Sequence, residues 1–159
     1  AYNLIDGLDG LCGILAFSTL ITLGTILFGS YTEGSAVCFV LAASVLGFLI
    51  FNWPAPNAKI FMGDTGSMLL GGGTVAMALL LRQPFLLLLS FFTPIMSSVS
   101  VIMQRYYFKL THGKRIFLMS PIHHHFEKKG YSETQIVSMY AGITLILSLI
   151  AVAAVCAVQ

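Results

Sequence analysis

Charged side chains are scarce in this chain. Asp, Glu, Lys and Arg make up 9% of its 159 residues, against about 25% in soluble domains, which excludes a water-facing surface of ordinary composition. The eight Lys and Arg residues form no polybasic tract, and a net charge of +2 is too small to attract a nucleic acid, so none is expected as a partner. Cysteine is nearly absent as well. Cys12, Cys38 and Cys156 are odd in number, far apart and set in apolar sequence, which argues against a disulfide framework and a zinc motif. They read as small core or lipid-facing residues. There is no internal repeat, and no signal peptide stands ahead of the polar motif that follows Ala1. With no initiating methionine, the chain is expected to be a fragment of one integral membrane domain.

Apolar residues dominate what is there: 57% of the chain is hydrophobic and the mean hydropathy is +0.91. Five apolar stretches are expected to span a bilayer, at residues 11–28, 36–51, 66–81, 85–108 and 135–158. Lipid offers no partner for an unpaired backbone group, so the expected fold is an all-α, polytopic transmembrane helical bundle. The third stretch is short, about 24 Å as a helix, and needs snorkelling by Arg82, local thinning of the bilayer, or extension back through Met62. Pro94 is expected to kink the fourth. The run Gly71, Gly72 and Gly73 reads best as a place where two helices pack closely.

Five alternating spans place residues 1–10, 52–65 and 109–134 on one face. Lys59, Arg105, Lys109, Lys114, Arg115, Lys128 and Lys129 fall on that side, against Arg82 alone on the other, and the positive-inside rule makes the first face cytoplasmic. Asp6, Asp9, Asp64, Glu127, Glu133 and all four histidines lie there too. Chemistry is therefore expected at the cytoplasmic surface.

Three polar motifs interrupt the apolar sequence. In Asn3-Leu4-Ile5-Asp6-Gly7-Leu8-Asp9-Gly10, a helix would spread Asn3, Asp6 and Asp9 over about 120° of one face, within reach of one ligand. Ordinary helix entry is the alternative, with acids complementing the dipole. In Phe61-Met62-Gly63-Asp64-Thr65-Gly66-Ser67, backbone amides at a helix start could hold a phosphate and Asp64 its divalent ion; a simple turn with Asp64 as N-cap explains the motif equally well. In Pro121-Ile122-His123-His124-His125-Phe126-Glu127, consecutive histidines diverge in a helix or strand, which disfavours a zinc site. Phosphate contacts suit them better, with a lipid-binding interfacial loop as the alternative.

Together these motifs, with Lys114-Arg115-Ile116-Phe117-Leu118-Met119-Ser120 ahead of the third, resemble the polyprenyl-phosphate N-acetylhexosamine-1-phosphate transferases over essentially the whole chain. The histidine trio followed by Phe126, Glu127 and Gly130 points to the muramoyl-pentapeptide branch. The resemblance implies about five helices of a ten-helix parent in the bacterial inner membrane. The reaction it implies moves phospho-MurNAc-pentapeptide from UDP-MurNAc-pentapeptide to undecaprenyl phosphate, giving lipid I and UMP. It also implies Mg²⁺ on Asp64, catalytic roles for Asp64, His123 and His124, and substrate contacts from Asn3, Asp6, Leu8, Asp9, Asn52, Phe61 and His125. Leu8 and Phe61 would flank the uracil. Membrane lipids are further partners, and a homodimer is compatible with the sequence.

Two departures stand out. The family's Asp-Asp catalytic motif and nucleotide-contacting lysines belong to a first half not contained in this sequence, so the isolated chain is expected to be inactive. Residues 52–60 are about two longer than the family's usual spacing before Phe61. A sister transferase using UDP-GlcNAc for teichoic acid or O-antigen is the nearest alternative. A transporter or structural bundle fits less well, because transporters place ionisable residues inside their spans and these interiors have none.

Overall fold

The computed structural model describes residues 1–53, 58–80 and 88–157. Among them every regular element is helical: α1 (Tyr2–Ile5), α2 (Leu11–Leu27), α3 (Thr32–Asn52), α4 (Gly63–Leu80), α5 (Phe92–Leu110), α6 (Ile122–Lys128) and α7 (Glu133–Cys156). A further helical piece, 88–90, precedes α5. The all-α expectation holds.

The bundle is organised around α2, which packs on α3, α4 and α7. Of its 17 residues 12 are buried, which is why it is apolar around its whole circumference and lacks a polar face. Its hydroxyls do not conflict with that burial. Ser18, Thr19 and Thr22 donate to the carbonyls of Ile14, Leu15 and Ser18 one turn back, at 2.9, 2.8 and 2.8 Å. The main core gathers Tyr2, Ile5 and Leu8 with Leu11 and Leu15 of α2, Leu49 of α3, Leu70 of α4 and Ile136, Val137 and Tyr140 of α7. It lies directly under the motif-bearing end. At that end Ser132 and Gln135 form a reciprocal capping box that starts α7, with hydrogen bonds of 3.3 and 3.0 Å.

Large apolar side chains also point outward, Ile50 on α3 being 73% exposed and Leu149 on α7 62%. In water such faces would drive aggregation; in hydrocarbon they are matched. The chain is a membrane protein. By length and composition α3 and α7 can cross a bilayer, while α2 is apolar but shorter. Of the other expected spans, α4 opens on the polar residues Gly63 to Ser67, and α5 carries Gln104, Arg105 and Lys109.

The third stretch is lengthened backward, one of the three adjustments expected of it: its helix begins at Gly63, and its 18 residues extend about 27 Å. The interruption expected from Pro94 is present: the helical piece 88–90 and α5 are separated at Phe91, just before Pro94, and the Ser90 carbonyl, which a proline at 94 leaves without its helical N–H, accepts from Thr19 Oγ1 at 3.3 Å. One expectation is corrected: a Cβ at Gly71 or Gly73 would meet only ordinary contacts, Tyr2 at 3.7 Å and Leu41 at 3.9 Å, and at Gly72 none, so the close helix approach is at Gly13 and Gly24 of α2. A Cβ there would sit 2.7 Å from Leu49 and 2.9 Å from the Phe39 ring. Arg82, the start of the fourth span at Phe85, the end of the fifth at Val158 and the extra loop residues Pro54 to Asn57 lie outside the described residues.

Candidate active site

The first motif is only briefly helical. α1 stops at Ile5, Asp6 is its C-cap, and Gly10 at φ +78° turns the chain into α2. Only Gly tolerates that left-handed turn without strain. Asn3 therefore lies on α1 while Asp9 sits on the following loop, and the even helical spread of Asn3, Asp6 and Asp9 is replaced by a compact turn. Asn52, the last residue of α3 and buried, holds this turn in place. Its Oδ1 accepts from the Gly10 N–H at 2.9 Å, and its Nδ2 donates to the Ile60 carbonyl at 2.7 Å. The Lys59 N–H closes the same strap on the Phe51 carbonyl at 2.8 Å.

The second motif meets the first across that strap. Asp64 is exposed at the second position of α4, and the Asn3 Nδ2–H donates to its Oδ1 at 2.6 Å. The same amide reaches Ser67 Oγ at 3.5 Å. The Gly63 backbone N–H lies near the Asp6 carboxylate and favours its charged form. Partial burial raises the pKa of Asp6; the Gly63 N–H pulls it back, and the neighbouring Asp64 and Asp9 push it up again. Two carboxylates and a helix N-terminus thus share one small region.

The third motif folds onto the other side of the turn. Its loop is tied to α5: Gln104 Oε1 accepts from the N–H groups of Ile116 and Phe117 at 3.1 and 2.9 Å, and Ser100 Oγ accepts from the Ile122 N–H at 3.0 Å. On α6 the three imidazoles diverge. His123 is fully buried, with neither ring nitrogen hydrogen-bonded, and burial first, then the adjacent His124, lowers its pKa to about 4. It is a neutral imidazole at physiological pH. His124 stacks on it at a tilt, centroids 4.4 Å apart, and its Nδ1 shares a 2.5 Å hydrogen bond with Glu127 Oε2. His125 Nδ1 accepts from the Leu118 N–H at 3.1 Å. Gly7 lies under His123 and His124, so close that a Cβ on it would be 3.2 Å from His124 Nε2 and 3.6 Å from His123 Nε2. All three motifs therefore meet at one end of the bundle, with the turn 6–10 between the other two.

Residues 1–82, just over half of the chain, match the family described as glycosyl transferase family 4. The chain belongs to that family. It is 47% identical to the phospho-N-acetylmuramoyl-pentapeptide-transferase of Listeria monocytogenes serotype 4b over 98% of its own length and 48% of the relative's. With the enzyme of the same name from Clostridium perfringens strain 13 it shares 47% identity over 96% of its length and 48% of the relative's. The chain thus spans about half the length of the curated relatives it matches.

This glycosyl transferase family 4 chain brings Asn3, Asp6, Asp64 and the histidine-bearing α6 to one end of the bundle. Leu8 is 6% exposed and belongs to the core, whereas Phe61 is 75% exposed on an apolar groove between α3 and α4. Asn52 spends its amide on the strap and His125 one ring nitrogen on the Leu118 backbone. Sequence reading missed Gly7, Ser100 and Gln104. A signal for the last two existed: Ser97, Ser100 and Gln104 recur at helical spacing on an otherwise apolar stretch.

Among the described residues no cluster of three or more His, Cys, Asp or Glu is placed to hold a metal. Magnesium does not need one, because it is commonly held by one or two carboxylates with phosphate oxygens and water completing the octahedron. The exposed Asp64, with Asn3 fixing one of its oxygens beside the α4 N-terminus, fits that mode of binding.

Proposed function

We propose that this chain is the carboxy-terminal half of an enzyme that transfers phospho-MurNAc-pentapeptide from UDP-MurNAc-pentapeptide to undecaprenyl phosphate, giving lipid I and UMP. The observation that carries the reading is the convergence of the three motifs, through the Asn3–Asp64 hydrogen bond on one side and the Gly7–His124 contact on the other. The names of the relatives favour the pentapeptide substrate over UDP-GlcNAc.

An oxygen of the lipid phosphate attacks the sugar-linked phosphorus, and the P–O bond to UMP breaks. Such a transfer demands chiefly positioning and neutralisation of charge. A bound Mg²⁺, held by Asp64, would neutralise the diphosphate. Asn3 keeps the Asp64 carboxylate aimed at the shared region, and Asp6 lies near the Gly63 amide at the mouth of α4. His124, oriented by Glu127, offers its Nε2 on the Gly7 side, where the turn and α6 meet. His123, uncharged and buried behind it, supports the His124 ring without adding a positive charge. The group that would deprotonate the acceptor is assigned to the half not contained here. The weight of Lys and Arg on the site's side supports a cytoplasmic-facing site in the bacterial inner membrane.

The test is UMP release by the full-length protein with undecaprenyl phosphate and Mg²⁺, comparing UDP-MurNAc-pentapeptide with UDP-GlcNAc. Release with the pentapeptide nucleotide alone is expected. Preference for UDP-GlcNAc would transfer the chain to the sister branch, and no release with either would remove the reading.

A further inference from the structure

Three cations line a cavity to which none of Asn3, Asp6, Asp64, His123 and His124 contributes. Arg105 of α5, Arg115 of the loop 113–121 and Lys128 of α6 line this open cavity of about 530 Å³, together with Gln104 and Ser120 and an apolar wall that includes Val101, Phe108 and Leu118. None of the three cations is within salt-bridge distance of a carboxylate among the described residues, where the only such contact is His124 with Glu127. The cavity is built and not accidental. Gln104 accepts from the backbone of Ile116 and Phe117, Leu118 donates to His125, and Ile122 donates to Ser100, so the loop is fastened to both helices that contribute the cations.

Its surroundings say what kind of anion would enter. The loop carries exposed Ile116, Leu118 and Met119 beside Arg115, and the outer face of α5 continues the apolar surface through exposed Ile102 and Met103. Exposed Tyr106 and Tyr107 sit one residue or two past Arg105. Aromatic side chains and cations beside an apolar face are the composition of a membrane–water boundary. A free anion would need the cations only. The apolar wall adds the requirement for hydrocarbon joined to the charge.

We propose that this cavity binds the phosphate headgroup of an anionic membrane phospholipid, with its acyl chains lying along α5. None of Asn3, Asp6, Asp64, His123 and His124 lines the cavity, and the proposal does not depend on the transferase reading. Because Ser120 and Lys128 bracket α6, an occupied cavity would also brace the helix that carries the three histidines.

The experiment is native mass spectrometry of the full-length protein in detergent, titrated with dioleoyl-phosphatidylglycerol or with dioleoyl-phosphatidylcholine. Phosphatidylglycerol is expected to bind and phosphatidylcholine to bind far more weakly. Arg105→Gln, Arg115→Gln and Lys128→Gln are each expected to weaken phosphatidylglycerol binding about fivefold. Lys59→Gln, an exposed cation at the same end but outside the cavity, is expected to leave it unchanged. The three single variants are read separately, each after its melting temperature has matched the parent's. Equal binding of the two lipids, or retention of phosphatidylglycerol in all three variants, would overturn the proposal. Displacement of the lipid by an equal concentration of inorganic phosphate would overturn it too, by assigning the site to a free anion.

Discussion

The Asn3 side-chain amide donates to Asp64 Oδ1 at 2.6 Å, joining residues 61 positions apart in sequence. Both are exposed, so the bond holds no core together; it orients a carboxylate. Asp64→Asn in the full-length protein is expected to lower turnover at least about a hundredfold, as loss of a key electrostatic group commonly does. Asn3→Ala removes only the orienting bond and should cost about tenfold, a typical figure for a hydrogen bond to a charged group. UMP release measured across a range of Mg²⁺ concentrations checks both. Near-normal turnover in Asp64→Asn would take this carboxylate out of the mechanism.

Gly7 is expected to be intolerant of a methyl group. A Cβ there would press on His124 Nε2 at 3.2 Å, and the ring cannot retreat without leaving Glu127 or sliding over His123. Gly7→Ala should therefore reduce turnover while leaving the melting temperature in detergent within a few degrees of the parent. A large loss of thermal stability instead would make Gly7 a folding residue.

His123 supplies a pH dependence whose sign follows from its burial. Its pKa falls from 6.5 to about 4, so between those values the unfolded chain binds a proton that the folded chain does not. The folded state is favoured fully above pH 6.5 and loses that advantage as the pH falls toward 4, by on the order of 3 kcal/mol in all. Melting temperatures in detergent between pH 4 and 7 should show this slope, and His123→Gln should flatten it. An equal slope in the variant would assign the effect to other groups.

Asn52 is expected to matter through packing. Asn52→Ala strands two buried or half-buried backbone groups, the Gly10 N–H and the Ile60 carbonyl, at about 1–3 kcal/mol for each. Asn52→Asp keeps an acceptor for Gly10 but turns a carboxylate oxygen on the Ile60 carbonyl, and should be worse than Ala. Thermal unfolding of the three proteins side by side decides the order; equal stability of Asp and Asn would mean that the strap bears no load.

The apolar helices and the meeting of the three polar motifs at one end of the bundle were legible in the sequence, because apolar runs of this length have few alternatives in lipid and successive spans alternate in direction. The break at Phe91 was legible too, through Pro94, whose ring and missing N–H act on the turn before it. The burial of His123 and the amide geometry of Asn52 were hidden: each depends on a partner far along the chain, Gly7 for one and Gly10 with Ile60 for the other. Leu8 shows the same limit from the other direction, as a residue in a polar motif that serves the core.

The strap at Asn52 has one more consequence. Because residues 51 and 52 are hydrogen-bonded to residues 59 and 60, the two ends of the segment between them are pinned to each other. Its length is thereby uncoupled from the position of Asp64, and two additional residues can be absorbed without displacing the carboxylate.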